Sequence, residues 1–319
     1  MAQFTIYRSS DAGAPVLNGL SGSLITVLDA ILVNGYGTQP SASWTKPYST
    51  TGSLYAAYQQ GSGSSRCYLW VRDSGSVASG QEAIIRGCEN LTSIFGITGS
   101  NVNAFPTAIQ SVLTSNGLVV RKSATVTSTA RAWVATADSR TLYFFAQTGD
   151  VANTYFSFAF GDIYSYVPND PYRCMIMARN GENANTIVAN EGFYYVNGAS
   201  PAATQGGYLQ RSFYGANNSY NFGKHVDSAR NAIATTFAGS TDVLPNPADG
   251  KIYLSKVWIT DYNSTLRGHM RGLYNLSHNI ASVSNDDVFS GSIDSTDRTF
   301  MVVKLPGYII ETSNTLDTN

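Results

Sequence analysis

Alternating apolar and polar positions recur along most of the chain and predict β-strands. Residues 155–160 are the clearest case, because aromatic side chains alternate there with small or polar ones at the period of two that a strand requires. Residues 132–136 and 141–145 flank a four-residue turn and predict a hairpin. Further strands are predicted between Gly, Pro and Asn clusters, at residues 4–8, 64–72, 118–121, 174–178, 192–196, 208–213, 251–259 and 300–305.

One segment near the N-terminus has the period of a helix instead. Five apolar residues fall on one helical face, namely Leu24, Val27, Leu28, Ile31 and Leu32. Ser23 is placed to cap this helix and Gly35 to end it. Its β-branched residues lower helix propensity, so the apolar face must pack against a core, and Leu28 and Ile31 at its centre are predicted to be buried.

These patterns predict a mainly β fold, sandwich or barrel-like, with one amphipathic helix near the N-terminus. The chain has 319 residues, which is long enough for a substantial core. The turn-like stretch at residues 147–150 is too short and unbiased for a linker. We therefore expect a single compact β-rich unit over residues 1–319, with residues 147–150 as the place where two lobes would divide.

The chain contains few charged residues, and this bears on which classes of partner it could bind. Only 13% of residues are charged, against about 25% in typical soluble domains. Twenty Lys and Arg residues stand against 21 Asp and Glu residues, so the basic surface that nucleic acid requires is not expected. A net charge of −1 and a surface rich in Tyr, Ser, Asn and Gly favour association with other proteins.

The cysteines and the apolar stretches indicate where the protein is made. Three cysteines, Cys67, Cys88 and Cys174, are odd in number and widely spaced, which predicts buried free thiols and a reducing cytoplasm. The N-terminal residues lack the pattern of a signal peptide. The longest apolar stretch, residues 24–33, falls short of the roughly 20 residues that span a bilayer, so no membrane association is expected.

Residues that could perform chemistry occur without a recognisable context. His225, His269 and His278 lack metal-ligand spacing and are expected at surface or loop positions. Asp162 and Asp170 could meet across a loop as a glycosidase pair, but they are expected to be solvated loop acids. The acidic stretch at residues 284–297 lacks the spacing of a calcium loop. We therefore predict no catalytic, cofactor or metal site, and no enzyme.

Aromatic clusters are the remaining candidates for a functional surface. Strands direct successive side chains to opposite faces, so some members of each cluster should point outward. Exposed aromatic side chains could contact protein or sugar. The candidate interface residues are Tyr164, Tyr166, Tyr194, Tyr195 and Tyr214.

Several short segments resemble a family of virion proteins encoded by tailed bacteriophages. The longest is residues 22–37 (GSLITVLDAILVNGYG), followed by WTKP at residues 44–47. Shorter similar segments are residues 82–87 (EAIIRG), 105–107 (FPT), 120–123 (VRKS), 160–163 (FGDI), 271–274 (RGLY) and 278–279 (HN). The resemblance implies a structural component of a phage particle and supplies no catalytic residues.

The combined expectation is a structural component of a tailed-phage particle that assembles through protein–protein contacts. Its place could be capsid decoration, neck or collar, or tail or baseplate. Expected partners are other virion proteins, with the chain present as a homo-oligomer or in multiple copies, and its location is the virion. One alternative is a host glycan- or receptor-binding module of the virion, which an exposed aromatic groove would favour. The other is a cryptic glycan hydrolase, which a close carboxylate pair in a cleft would favour.

Overall fold

The structure is a computed structural model that describes most, but not all, of the chain. The described residues are 3–52, 54–73, 81–95, 103–107, 117–149, 155–179, 205–216, 224–226, 254–261, 265–276, 287–290, 298–303 and 308–313. The predicted strand at residues 192–196 lies outside them, as do Tyr194, Tyr195 and His278.

The protein is mainly β with one short helical segment near the N-terminus, which confirms the predicted fold class. The helical segment is α1 (Ser23–Leu28), continued by a π-helical turn at Asp29–Asn34. The strands are β1 (Thr5–Arg8), β2 (Thr45–Ser49), β3 (Tyr55–Gln59), β4 (Tyr68–Arg72), β5 (Glu82–Cys88), β6 (Ala104–Phe105), β7 (Leu118–Arg121), β8 (Trp133–Ala137), β9 (Thr141–Gln147), β10 (Tyr155–Ser165), β11 (Cys174–Arg179), β12 (Gln205–Leu209), β13 (Lys224–Val226), β14 (Leu254–Thr260), β15 (Leu266–Leu276), β16 (Val288–Ser290), β17 (Thr299–Val303) and β18 (Tyr308–Glu311).

The first sheet is antiparallel and curves into a half-barrel. Its strands follow the order β2, β3, β4, β5, β7, β11, β10, β9, β8, β1. In addition, β6 pairs with β5 and β12 pairs with β11. The predicted hairpin is present, with β8 and β9 paired from Trp133↔Ala146 to Ala137↔Leu142. β9 and β10, which flank the stretch at 147–150, also pair with each other. The division into two lobes at that stretch stays a prediction.

The helical segment fills the concave side of the half-barrel. All five residues of the predicted apolar face are fully buried, including Leu28 and Ile31. They share one core with inward-facing side chains from across the sheet, such as Tyr58, Leu69 and Phe144. The burial of Leu28 and Ile31 is therefore confirmed. Gly35, with φ +73°, follows the last π-helical residue, as predicted for the helix end.

The N-terminus of α1 is held by a distant residue rather than by Ser23. Ser23 is the first helical residue, and its hydroxyl donates to the Asn18 carbonyl at 2.8 Å. The backbone N–H of Leu24 instead donates to the Asp73 carboxylate at 2.8 Å, where a negative charge favours the helix N-terminus. Lys122 completes this site by an ion pair with Asp73, and both side chains are fully buried. The predicted cap at Ser23 is therefore wrong.

A second antiparallel sheet covers the convex side of the half-barrel. Its strands follow the order β13, β14, β15, β18, β17, β16, and the end of β10 also pairs with β15. Consecutive residues of β9 face different cores, since Phe144 joins the helix core while Tyr143 and Phe145 pack towards the second sheet. β9 is therefore buried on both faces.

The strand β15 connects the two sheets and is irregular. Gly268 lies where β15 pairs with β10, and a Cβ atom there would overlap the carbonyl oxygen of Tyr164. Gly272 has φ +63° and lies in a bulge where the strand register against β14 is broken. The bulge lets Met270 and Leu273, three residues apart, enter the same core.

The three cysteines are free and buried, as predicted. Cys67 and Cys174 belong to the helix core, and Cys88 belongs to a separate core beneath Trp70. Burial raises the pKa of the Cys88 thiol to about 12, so this thiol is protonated at neutral pH. None of the helices in the described part of the chain has the length and apolar character that crossing a bilayer demands.

Candidate functional site

Several turns meet at one end of the β structure, which we call the turn face. The Gly61 N–H donates to the Ser139 carbonyl at 2.8 Å. Arg173 donates to the Gly63 carbonyl at 3.0 Å, and the Phe213 N–H donates to Asp261 at 3.0 Å. The turn face consists of residues 60–67, 138–140, 166–173 and 210–216 together with Asp261.

A buried carboxylate on β10 fastens one of these turns. Asp162, whose side chain is fully buried, accepts hydrogen bonds from the Ser65 N–H at 3.1 Å and the Ser65 hydroxyl at 2.5 Å. Gln60 donates to it at 3.2 Å. Two arginines approach the same carboxylate, with Nε of Arg173 at 2.8 Å and Nε of Arg140 at 3.8 Å. Asp162 thus fixes the β3–β4 turn against β10.

A buried arginine on β15 joins three other segments. Arg267 binds Asp170 through Nε and Nη2 at 2.8 and 2.7 Å, and binds Asp261 through Nη1 at 3.2 Å. Ser165 also donates to Asp170, at 2.6 Å. Asp261 in turn accepts the Phe213 N–H. The planar fork of a guanidinium can serve two carboxylates at fixed angles, so Arg267 sets the positions of residues 166–173 and 210–216.

A second buried arginine on β15 fixes the β8–β9 turn. Arg271 Nη2 lies 2.9 Å from Asp138, and Nη1 donates to the Thr141 hydroxyl at 3.0 Å. Asp138 also accepts the backbone N–H groups of Arg140 and Thr141, both at 2.8 Å. The Arg271 and Asp138 side chains are 1% and 4% exposed. Each charge is therefore neutralised inside the protein, as burial requires.

An aromatic cluster lies beside these networks. His269, on β15, is 8% exposed, and its Nδ1 lies 3.0 Å from the Tyr166 hydroxyl. The ring of Tyr164 packs on His269 with centroids 4.9 Å apart. Burial, with a smaller contribution from Lys256, lowers the pKa of His269 to about 4. The imidazole is neutral at pH 7, so it positions Tyr166 without adding charge.

A pocket of about 350 Å³ opens between the aromatic cluster and the arginines. Its size lies at the lower end of the range for small-ligand sites, about 300–1,000 Å³. The lining side chains include Arg140 and Arg173, which are 22% and 29% exposed. The other lining residues are Ile163, Tyr164, Ser165, Tyr166, Val167, Pro168, Asn169, Asp170 and Arg271.

Exposed apolar side chains surround the same loops. Tyr214, Phe213 and Leu266 are 57%, 49% and 49% exposed, and Tyr166 is 43% exposed. The rings of Phe213 and Tyr214 meet edge to face at 5.0 Å. Leu266 precedes Arg267, and the Tyr166 N–H donates to the Arg267 carbonyl at 2.9 Å. These four side chains, which we call the aromatic patch, therefore rest on the rigid Arg267 network.

The structure places three of the five candidate interface tyrosines. Tyr166 and Tyr214 are exposed in the aromatic patch, and Tyr164 is half-buried against His269. Tyr194 and Tyr195 lie outside the described residues. The turn face thus brings together Tyr166, Tyr214 and Phe213, which precedes Tyr214 in one of the aromatic clusters of the sequence.

Two expectations about polar residues are wrong. Asp162 and Asp170 are not solvated loop acids but are 1% and 4% exposed, and each is bound to a different arginine. His269 is a buried strand residue, not a surface or loop residue. The side chain of His225 lies outside the description, although its backbone pairs with Ile259. A sequence signal for this buried polar face was missed. Polar residues occupy alternate positions at Arg267, His269 and Arg271, and in a β-strand this spacing places their side chains on one face.

The acidic side chains of the turn face are engaged in ion pairs, which limits the catalytic roles they could take. Asp162 and Asp170 each bind an arginine and accept further hydrogen bonds from neighbouring turns, so their oxygen atoms are occupied within the protein. Among the residues that the structure describes, no group of three His, Cys, Asp or Glu side chains could hold a metal ion. Of the acidic stretch at 284–297, only residues 287–290 are described. The arrangement is suited to binding.

No family model matches this chain, and no curated protein matches it either. The resemblance of short segments to tailed-phage virion proteins therefore stays a prediction. The turn face, with its buried charge networks, its pocket and its aromatic patch, is the candidate functional site.

Proposed function

We propose that the chain is a non-catalytic structural component of a tailed-phage particle and that it binds other virion proteins, or copies of itself, through the turn face. The observation that carries this proposal is the aromatic patch on a rigid base. Tyr166, Phe213, Tyr214 and Leu266 are each between 43% and 57% exposed. Tyrosine in particular is enriched among the residues that carry most of the binding energy at protein interfaces.

The rigidity of the base matters for affinity. Binding costs about 0.5–1.5 kcal/mol for each flexible side chain that becomes ordered, and loops cost more. Arg267 already fixes the loops that carry Tyr166 and Phe213, through Asp170 and Asp261. A partner therefore meets a surface that is ordered before contact, and most of the gain from burying the aromatic rings goes into affinity.

The low charge of the chain supports dense packing in an assembly. A net charge of −1 over 319 residues leaves little long-range repulsion between neighbouring copies. The short segments that resemble tailed-phage proteins support a place in the virion. Capsid decoration, neck or collar, and tail or baseplate each fit such a surface.

The experiment joins detection in the particle with a test of the patch. Mass spectrometry of purified particles should find the chain. Phe213→Ser together with Tyr214→Ser should reduce its incorporation at least tenfold without lowering its melting temperature by more than a few degrees. Phe95→Ser is the matched control, because Phe95 is 66% exposed and contacts Tyr55, outside the turn face. Absence of the chain from particles would refute the proposal.

A host glycan- or receptor-binding module is the second candidate. The pocket favours it, because its lining combines the rings of Tyr164 and Tyr166 with the guanidinium groups of Arg140 and Arg173. Ligand sites commonly combine aromatic walls with a few oriented polar groups. A module of this kind would still be a virion component, but the turn face would meet the host.

A further inference from the structure

We propose that the pocket in the turn face binds an acidic sugar, with the guanidinium of Arg173 contacting the sugar carboxylate and the rings of Tyr164 and Tyr166 packing against the sugar ring. This inference rests on the second candidate function, the glycan-binding module. It assigns to that module a site and a ligand class, a uronic acid or another sugar that bears a carboxylate.

The charge of the pocket wall favours an anion. The lining residues include three arginines, Arg140, Arg173 and Arg271, and one acid, Asp170. Asp170 is already bound through both of its oxygens by Arg267, which lies behind the wall. Arg271 is paired with Asp138, whereas Arg140 and Arg173 both approach the single buried carboxylate of Asp162, so two guanidinium groups share one acid on that part of the pocket wall. His269 is neutral at pH 7 and leaves this balance unchanged.

Arg173 has the donors that a carboxylate needs. A guanidinium carries five N–H groups. Among the described residues, Asp162 takes the Nε donor at 2.8 Å and the Gly63 carbonyl takes one Nη2 donor at 3.0 Å. The Arg173 side chain lines the pocket and is 29% exposed. The remaining N–H groups can form the paired, charge-assisted hydrogen bonds that make arginine the preferred partner of carboxylates.

The aromatic side of the pocket suits a ring with apolar faces. Tyr164 and Tyr166 stand edge to face with centroids 6.1 Å apart, so the two rings present surfaces at an angle of 74°. A pyranose ring combines an apolar C–H face with polar hydroxyl groups at its edge. The exposed Asn169 at the lining provides an amide that can both donate to and accept from such hydroxyls.

Both sides of the pocket are ordered before a ligand arrives. Asp162 and Gly63 hold Arg173, and the contact of 3.0 Å with His269 holds the Tyr166 hydroxyl. An ordered site loses little entropy on binding, which favours recognition of a small, polar ligand. A neutral sugar would lack the contact with Arg173, and a bare anion would lack the contact with the tyrosines. The acidic sugar is the ligand that uses both.

The test is a titration of the full chain by isothermal calorimetry and ligand-observed NMR. The probes are methyl glucuronide and an oligogalacturonate, with methyl glucoside, inorganic phosphate and acetate for comparison. We expect the uronates to bind at least tenfold more tightly than the neutral glucoside and than either simple anion. Arg173→Gln should weaken uronate binding at least tenfold, and so should Tyr166→Ala. Arg131→Gln should leave it unchanged, because Arg131 lies beside Ser123 at the opposite end of β8.

Each outcome decides the inference. Equal binding of the glucoside would remove the role of the carboxylate, and equal binding of phosphate or acetate would reduce the pocket to a simple anion site. Failure of both uronates to bind the unaltered chain would overturn the inference. If Arg173→Gln prevents folding by stranding Asp162, the exposed Tyr166 provides the second variant. Detection of the chain in particles without uronate binding would leave the virion role standing and refute only the sugar site.

Discussion

Replacing Arg267 with methionine tests whether the turn face rests on a buried charge network. The Arg267 side chain is 1% exposed and makes contacts of 2.8 and 2.7 Å with Asp170 and of 3.2 Å with Asp261. Methionine fills much of the same space but removes all three contacts. The two carboxylates, 1% and 4% exposed, then lose their positive partner.

The expected loss follows from the cost of an unpaired buried charge. Removing one partner of a buried ion pair costs about 3–5 kcal/mol. Asp170 keeps hydrogen bonds from Ser165 and from the Tyr172 N–H, and Asp261 keeps the bond from the Phe213 N–H. These remaining donors offset part of the penalty, so we expect Arg267→Met to lower the free energy of unfolding by about 3–4 kcal/mol.

Urea denaturation followed by tryptophan fluorescence measures this loss. Lys46→Met is the control, because Lys46 and Asp29 form an ion pair at 2.6 Å whose side chains are 26% and 18% exposed. More exposed pairs of this kind contribute about 0–1 kcal/mol. Adding Asp170→Asn to Arg267→Met should recover part of the loss, since one unpaired charge disappears. The new amide oxygen can still accept the Tyr172 N–H, and the amide nitrogen can donate to the Ser165 hydroxyl.

Two results would contradict this reasoning. A loss below about 1 kcal/mol for Arg267→Met would mean that water reaches Asp170 and Asp261 and that the network is not buried. A double variant less stable than Arg267→Met alone would mean that the unpaired carboxylate is not the source of the cost. Either result would also remove the rigid base from beneath the aromatic patch.

Three further predictions concern the core, the histidine and the thiols. Leu28→Ala should cost about 2–5 kcal/mol because Leu28 is fully buried, and a loss below about 0.5 kcal/mol would contradict it. His269 has a pKa of about 4, below the 6.5 of the unfolded chain, so stability should fall as pH drops through that interval; His269→Gln should flatten the fall, and NMR should show titration near 4. A reductant or a chelator should leave the melting temperature unchanged, because the cysteines are free.

The sequence predicted those strands that consist mostly of apolar residues. β7 and β8 were found almost residue for residue, because few charges interrupt them. β5 (Glu82–Cys88) was not predicted as a strand, since Glu82 and Arg86 suggest a solvated segment although all seven residues are buried. Hydrophobic periodicity reveals a buried strand face only where that face is apolar. It does not reveal charged side chains that are buried in ion pairs.

The same limit explains the most important omission, strand β15. Arg267 and Arg271 look like surface residues until their partners are known. Asp170 and Asp138, which bind them, lie 97 and 133 positions away in the sequence. No local pattern reports contacts at that separation. The cap of α1 was missed for the same reason, because Asp73 is 49 positions from Leu24. The tyrosines were easier, since an aromatic cluster near a turn is itself a local signal for exposed rings.

During synthesis on the ribosome, the aspartates of the buried charge networks are made well before the arginines that bind them. Asp138 precedes Arg271 by 133 residues, and Asp170 precedes Arg267 by 97. At about 5–20 residues per second, each aspartate is synthesised about 5–27 s before its arginine. Their carboxylates must stay hydrated during that interval, because a buried charge without a partner is too costly. The hairpins β8–β9 and β10–β11 can form early, but the turn face closes only when β15 arrives. In a nascent chain that ends before β15, the loops that carry Tyr166 and Phe213 would lack the contacts with Arg267. These loops would not be ordered, so premature binding to a partner would be weak.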